Sequence, residues 1–182
     1  MKSSRPPTPG QTVGPFFEFA LDYAGSDELV PPHRADAIRL HGSVFDGLGV
    51  PVADGVVEIW QRDELGNIPH TAGSLRRDGH TFTGFGRSAT DAVGHFQFTT
   101  VLPGAAPGQP SYFAVVVFAR GLLDKLHTRI YVPGTRDDAD AVLASLDEER
   151  RRTLVATEDG PRSLHFDIRL QGQGETVFLD FI

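Results

Sequence analysis

Three observations predict an all-β protein, a β-sandwich. Short apolar/polar alternations recur along the chain, 20 glycines and 13 prolines among 182 residues punctuate the gaps, and a single segment has helical composition. The alternation starts after residue 36. Residues 1–36 read as an N-terminal arm, because prolines and glycines at 6, 7, 9, 10, 14, 15, 31 and 32 leave no room for a long helix or strand. The arm also holds Phe16-Phe17-Glu18-Phe19-Ala20-Leu21, more aromatic surface than a disordered tail carries, so it is expected to lie ordered across another surface, such as a partner's. Residues 37–182 are then the sandwich domain.

Within that domain, Ile38-Arg39-Leu40-His41-Gly42-Ser43-Val44 alternates and runs into Asp46-Gly47-Leu48-Gly49, a turn with glycine available for positive φ. Val56-Val57-Glu58-Ile59-Trp60-Gln61 follows, closed by Asp63-Glu64-Leu65-Gly66-Asn67. Gly94 to Thr100 places Phe96 and Phe98 on one face. Tyr112 to Ala119 is continuously apolar, the pattern of a strand buried on both faces. Later strands are expected at His127 to Val132, Leu164 to Leu170 and Thr176 to Phe181. The helical insertion covers about 137–154, as two short helices meeting near Ser145, with Ser145-Leu146-Asp147-Glu148 as a capping box. Arg150-Arg151-Arg152 within it reads as a solvated helix face partnered by Glu148 and Glu149.

Composition narrows the chemistry. Zero cysteine removes disulfides, thiolate metal sites and thiol nucleophiles, so a metal would need His, Tyr, Asp or Glu. A net charge of −7, with 24 acidic against 17 basic residues, argues against a nucleic-acid partner. No charged segment precedes an apolar run, and no apolar run nears the roughly 20 residues that span a bilayer, so the expectation is a soluble, cytoplasmic protein without membrane contact.

Seven histidines invite a metal centre, yet neither His-x-His nor His-x₃-His occurs among positions 33, 41, 70, 80, 95, 127 and 165. His127 and Tyr131 share a strand face but stand about 13 Å apart by strand rise, too far for one ion. That leaves open only a site assembled from distant strands. No Gly-x-Ser-x-Gly elbow is present, and Gly172-Gln173-Gly174 precedes a strand rather than a phosphate-binding helix. Arg120 ends the most apolar strand and is followed by Gly121, which lets the backbone turn away. Its fork of donors suits a small carboxylate or an acidic side chain of the same fold. In the arm, Thr12-Val13-Gly14-Pro15 offers a hydroxyl, an unhindered backbone approach and a rigid turn.

These segments resemble the intradiol ring-cleaving dioxygenases, over nearly the whole chain. The resemblance is carried by Thr8-Pro9-Gly10-Gln11-Thr12-Val13-Gly14-Pro15-Phe16-Phe17, then Gly42-Ser43-Val44-Phe45-Asp46-Gly47, Glu58-Ile59-Trp60-Gln61 and Gly86-Arg87-Ser88-Ala89-Thr90. It continues through Phe118-Ala119-Arg120-Gly121, His127-Thr128-Arg129-Ile130-Tyr131 and Arg169-Leu170-Gln171-Gly172-Gln173-Gly174-Glu175-Thr176.

The resemblance implies a β-sandwich whose catalytic chain holds Fe³⁺ with two tyrosines and two histidines. The matching positions here are Ile68, Ala105 or Ala106, Tyr112 and Ala114. It therefore implies a non-metallated alpha-type subunit paired, in a higher hetero-oligomer, with a homologous beta-type chain that carries the iron. By position, Thr12, Gly14, Pro15 and Arg120 would reach the substrate pocket, with Arg120 orienting the carboxylate of 3,4-dihydroxybenzoate (protocatechuate) before O₂ opens the ring. No catalytic or metal-ligating residue is expected on this chain itself. Two other readings stay open: a transthyretin-like binding module, suggested by residues 37–61, and an independently active dioxygenase with rearranged ligands.

Overall fold

The computed structural model describes residues 9–71, 77–136, 138 and 140–180. The prolines at 6 and 7, Thr8, two positions near the start of the helical insertion and Phe181, on which readings above rest, lie outside the described residues. A one-turn helix, α1 (Phe17–Leu21), breaks the arm. There follow β1 (Ile38–Phe45), β2 (Val56–Trp60), β3 (Phe85–Ala89), β4 (His95–Thr100), β5 (Tyr112–Phe118) and β6 (Leu126–Tyr131). After α2 (Ala141–Ala144) and α3 (Glu148–Arg152) come β7 (Thr157–Gly160), β8 (Ser163–His165) and β9 (Ile168–Arg169).

The strands form two layers, one in the order β4-β1-β8-β7 with β9 also on β1, the other β3-β2-β5-β6. Their inner faces supply the core: Leu40, Val44, Phe96, Phe98 and Ile168 from the first, Val57, Ile59, Phe113, Val115, Val117 and Ile130 from the second. The all-β sandwich is thus the fold that the alternation predicts. Leu29 of the arm joins the core through a gap at Gly86, where a Cβ would lie 2.4 Å from the leucine's Cδ1. A second, smaller cluster of Tyr131, Leu143, Leu154 and Val177 seats α2 and the residues that follow α3 against β6.

Four expectations change in detail. The segment 112–119 is not buried on both faces. Phe113, Val115 and Val117 are buried, while Tyr112, Ala114, Val116 and Phe118 are half-buried on the outer side. The segment 164–170 splits into β8 and β9, because the Phe166 carbonyl crosses Gly42, where a Cβ would stand 1.8 Å away, and the Asp167 carboxylate accepts the Ser43 N–H at 3.0 Å in place of a ladder carbonyl. Residues 176–180 form no strand. Their backbone groups are met one at a time, by Arg169 O, Thr153 Oγ1, Thr128 Oγ1 and His127 O, instead of by one neighbouring strand.

The capping box also fails. Ser145 closes the C-terminus of α2, and Asp147 is the cap of α3, its carboxylate accepting the Arg150 N–H at 2.8 Å. The aspartate wins because it adds charge complementarity with the helix start to the same hydrogen bond. The two helices do meet at Ser145, and Arg152 pairs with Glu148 one turn away.

Candidate functional site

At the end of β5 the chain leaves the sheet through Gly121, whose φ of +90° needs a residue without a Cβ. The Gly121 N–H donates to Thr12 Oγ1 at 2.7 Å, so the arm is tied beside Arg120 by one hydrogen bond. Gly10 lies close by, where a Cβ would stand 3.2 Å from Leu123 O. Arg120 itself pairs with Asp54 through Nε and Oδ2. Gly14 and Pro15 follow along the exposed arm, with open space around Gly14, and the Phe17 N–H returns to Gly14 O at 3.2 Å to start α1. The structure thus brings Thr12 and Arg120 together through Gly121, and leaves Gly14 and Pro15 without a hydrogen bond to Arg120.

Two arginines fix the rest of the arm. Arg87 on β3 binds Glu58 on β2 with Nε and Nη2, at 2.8 and 2.6 Å, and gives Nη1 to Leu21 O at 2.6 Å. Arg77 donates to the carbonyls of Gly25, Ser26 and Phe85, at 3.2, 3.1 and 2.6 Å. Leu21 O, Gly25 O and Ser26 O of the irregular segment are thus met by charged donors, the stronger class of hydrogen bond, the last two in addition to the Glu28 and Arg87 N–H groups.

A cavity of about 160 Å³ opens beside β5, lined by Trp60, Gln61, Ile68, Pro69, Tyr112 and Ala114. Its neighbouring loops touch at Gly66, where a Cβ would lie 2.2 Å from Ala105 O. Ile68, Tyr112 and Ala114, positions far apart in sequence, therefore share one cavity, with the Ala105 loop packed against the Ile68 loop. Of these side chains only Tyr112 carries a donor atom that could meet a metal, and its ring lies 4.3 Å under the Arg129 guanidinium. Two hydrocarbon methyls, an isoleucine and one phenol do not make a ferric site. Among the described residues there is no group of three or more His, Cys, Asp or Glu placed to hold a metal.

Behind the cavity, Arg129, Tyr131 and Asp140 form a closed set. Asp140 Oδ2 accepts from Arg129 Nη1 at 2.7 Å and from the Tyr131 hydroxyl at 2.8 Å, while its Oδ1 caps α2. Burial pushes the Tyr131 phenol well above its ordinary pKa. Tyr131 is therefore a core residue that anchors the insertion.

One cluster escaped the sequence reading. His41, His95 and His165, on β1, β4 and β8, put His41 5.7 Å from His95 and 5.3 Å from His165 between ring centroids. Periodicity along one strand could not reveal it; strand order does. Each Nε2 has its own neighbour: Asp159 for His41 at 2.7 Å, Arg39 for His95 at 3.4 Å and Asp167 for His165 at 3.2 Å. Burial, with the Arg39, His41 and His165 charges behind it, holds His95 below the usual imidazole pKa, against the opposing pull of Asp91.

A two-layer β-sandwich with an arm at the end of one central strand and a side-wall cavity where Ile68, Tyr112 and Ala114 offer a single phenol defines the chain's class. A family model described as Dioxygenase matches residues 31–172, and the chain belongs to this family, the intradiol dioxygenases. It is 38% identical to the protocatechuate 3,4-dioxygenase alpha chain of Burkholderia cepacia, over 95% of this chain and 96% of that one. Against the protocatechuate 3,4-dioxygenase beta chain of the same organism it is 31% identical, over 78% of this chain and 67% of that one. The dioxygenase domain of a dioxygenase carbohydrate-binding protein fusion from Streptomyces sp. SirexAA-E superposes with a TM-score of 0.61 at 28% identity, covering 92% of this chain and 99% of that one. Membership over this span sets aside the transthyretin-like reading of residues 37–61.

Proposed function

We propose that this chain is the non-metallated alpha-type subunit of an intradiol dioxygenase that opens 3,4-dihydroxybenzoate with O₂ to 3-carboxy-cis,cis-muconate, in aromatic catabolism by the beta-ketoadipate route. A homologous beta-type chain holds the Fe³⁺, and the two assemble into a higher hetero-oligomer in the cytoplasm. The observation that supports this reading is that Ile68, Tyr112 and Ala114, the positions the resemblance matches to metal ligands, share one cavity beside β5 and offer a single phenol between them.

The contribution of this chain is recognition. Thr12, Gly14 and Pro15 line the substrate pocket from the arm, and Arg120 offers two parallel N–H donors to the ring carboxylate, which favours 3,4-dihydroxybenzoate over catechol. The arm, with Phe16 and Phe19 73% and 74% exposed, buries its aromatic surface against the beta-type chain. Iron content and ring cleavage of the purified chain test the assignment. Neither stoichiometric iron nor turnover is expected until an iron-bearing partner is added; iron with turnover in the chain alone would establish a self-sufficient dioxygenase instead.

A further inference from the structure

Asp54 stands where the β2–β5 register puts it. Val56 lies opposite Phe118 in this antiparallel pair, so the position two before Val56 falls opposite the position two after Phe118. The side chains of Asp54 and Arg120 meet there through Oδ2 and Nε. The Arg120 side chain is 57% exposed, so water screens the pair and it adds little to the stability of the fold. It does set an orientation. Asp54 engages Nε, and among the described residues neither terminal nitrogen of Arg120 has a hydrogen-bond acceptor. The end-on edge of the guanidinium, which receives a carboxylate through two parallel bonds, is left for a second anion. The backbone beneath is held as well, by the Gly121 turn and its bond to Thr12.

From this geometry we infer that Asp54 is a positioning residue for substrate selectivity: it holds Arg120 by Nε so that both terminal nitrogens face the carboxylate of a catechol acid. The inference rests on the proposed role of Arg120 in recognising that carboxylate. Without Asp54 the long side chain regains rotamer freedom that binding must remove again, a cost that falls on carboxylated rings and not on uncharged ones.

The test uses the assembled alpha–beta complex with 3,4-dihydroxybenzoate and catechol as paired substrates. Asp54→Ala is expected to raise KM for the acid about three- to tenfold with kcat kept, and to leave catechol kinetics unchanged. Asp54→Asn, whose amide oxygen still accepts the Nε proton, is expected to restore KM. Melting temperature and elution volume of both variants are expected to match those of the parent complex. Equal effects on the two substrates, no effect on either, a lowered KM for the acid in Asp54→Ala, or failure of Asp54→Asn to rescue would each overturn the inference. Arg120→Ala separates the two levels. If it leaves the preference for the acid intact, the underlying reading of Arg120 fails; if it abolishes the preference while Asp54→Ala does not touch it, only the role of Asp54 fails.

Discussion

On the β3-β2-β5-β6 sheet the side chains turned away from the core include Trp60, Phe85, Tyr112, Val116 and Phe118, whereas on the β4-β1-β8-β7 sheet they include Arg39, His41, His95, Gln97 and His165. Both sheets alternate with the same period, and both bury the same kind of inner face. The difference teaches that alternation identifies the buried side of a strand but leaves open what the other side meets. The polar face is matched to water, with imidazoles and carboxylates satisfying one another. The aromatic face gathers the cavity at Ile68, Tyr112 and Ala114, the end of α1 and Trp60, 53% exposed with its ring 4.5 Å from Phe85. Its ion pairs Arg87 with Glu58 and Arg129 with Asp140 are largely sheltered.

That contrast can be broken experimentally. Arg87→Ala leaves Glu58 sheltered without its partner and frees Leu21 O, so a loss of about 2–4 kcal/mol is expected in urea unfolding. Arg39→Ala, the matching truncation on the polar face, should stay within about 0.5 kcal/mol. Equal losses would mean that the two faces are energetically alike after all.

A second comparison sets stability against assembly. Replacing Phe16 and Phe19 by serine should leave the melting of the isolated chain nearly unchanged, since both rings are exposed, while weakening capture of an iron-bearing partner by about ten- to a hundredfold in a sedimentation or titration assay. Unchanged affinity would remove the arm from the interface.

The smallest effect belongs to one histidine on each sheet, His95 on β4 and His127 on β6. His95 is held below its ordinary pKa by burial first, and His127 by burial and the Lys125 charge. The unfolded chain therefore binds more protons below about pH 6.5, so the stability from these groups is complete above that value and declines as pH falls through it toward their lowered values. Melting temperatures measured between pH 7.5 and 5.5 should show this decline, with a shallower slope in His95→Gln. A parallel slope in the variant would exclude His95 as a contributor.

Much of the sandwich was readable because its strands obey one rule. Phe96 and Phe98, or Leu40 and Val44, announce an inner face by spacing alone. β7 announced nothing, for Thr157-Glu158-Asp159-Gly160 is exposed throughout and pairs with β8 without an apolar side. The split of 164–170 depends on a carboxylate substituting for a carbonyl, which no hydrophobic pattern encodes. The position of Arg120 at a strand end beside glycine was legible; its pairing with Asp54 required the β2–β5 register. The cavity at Ile68, Tyr112 and Ala114 was legible only through resemblance, since hydrocarbon side chains carry no chemical signature of their own.

The single bond from the Gly121 amide to Thr12 has a practical consequence. One glycine proton registers whether the arm is seated. While Thr12 accepts it, exchange with solvent is retarded; once the arm lifts, the amide is left at a water-facing turn and exchanges freely. Because this amide neighbours Arg120, it gives the end of β5 a spectroscopic address through which the seating of the arm can be followed.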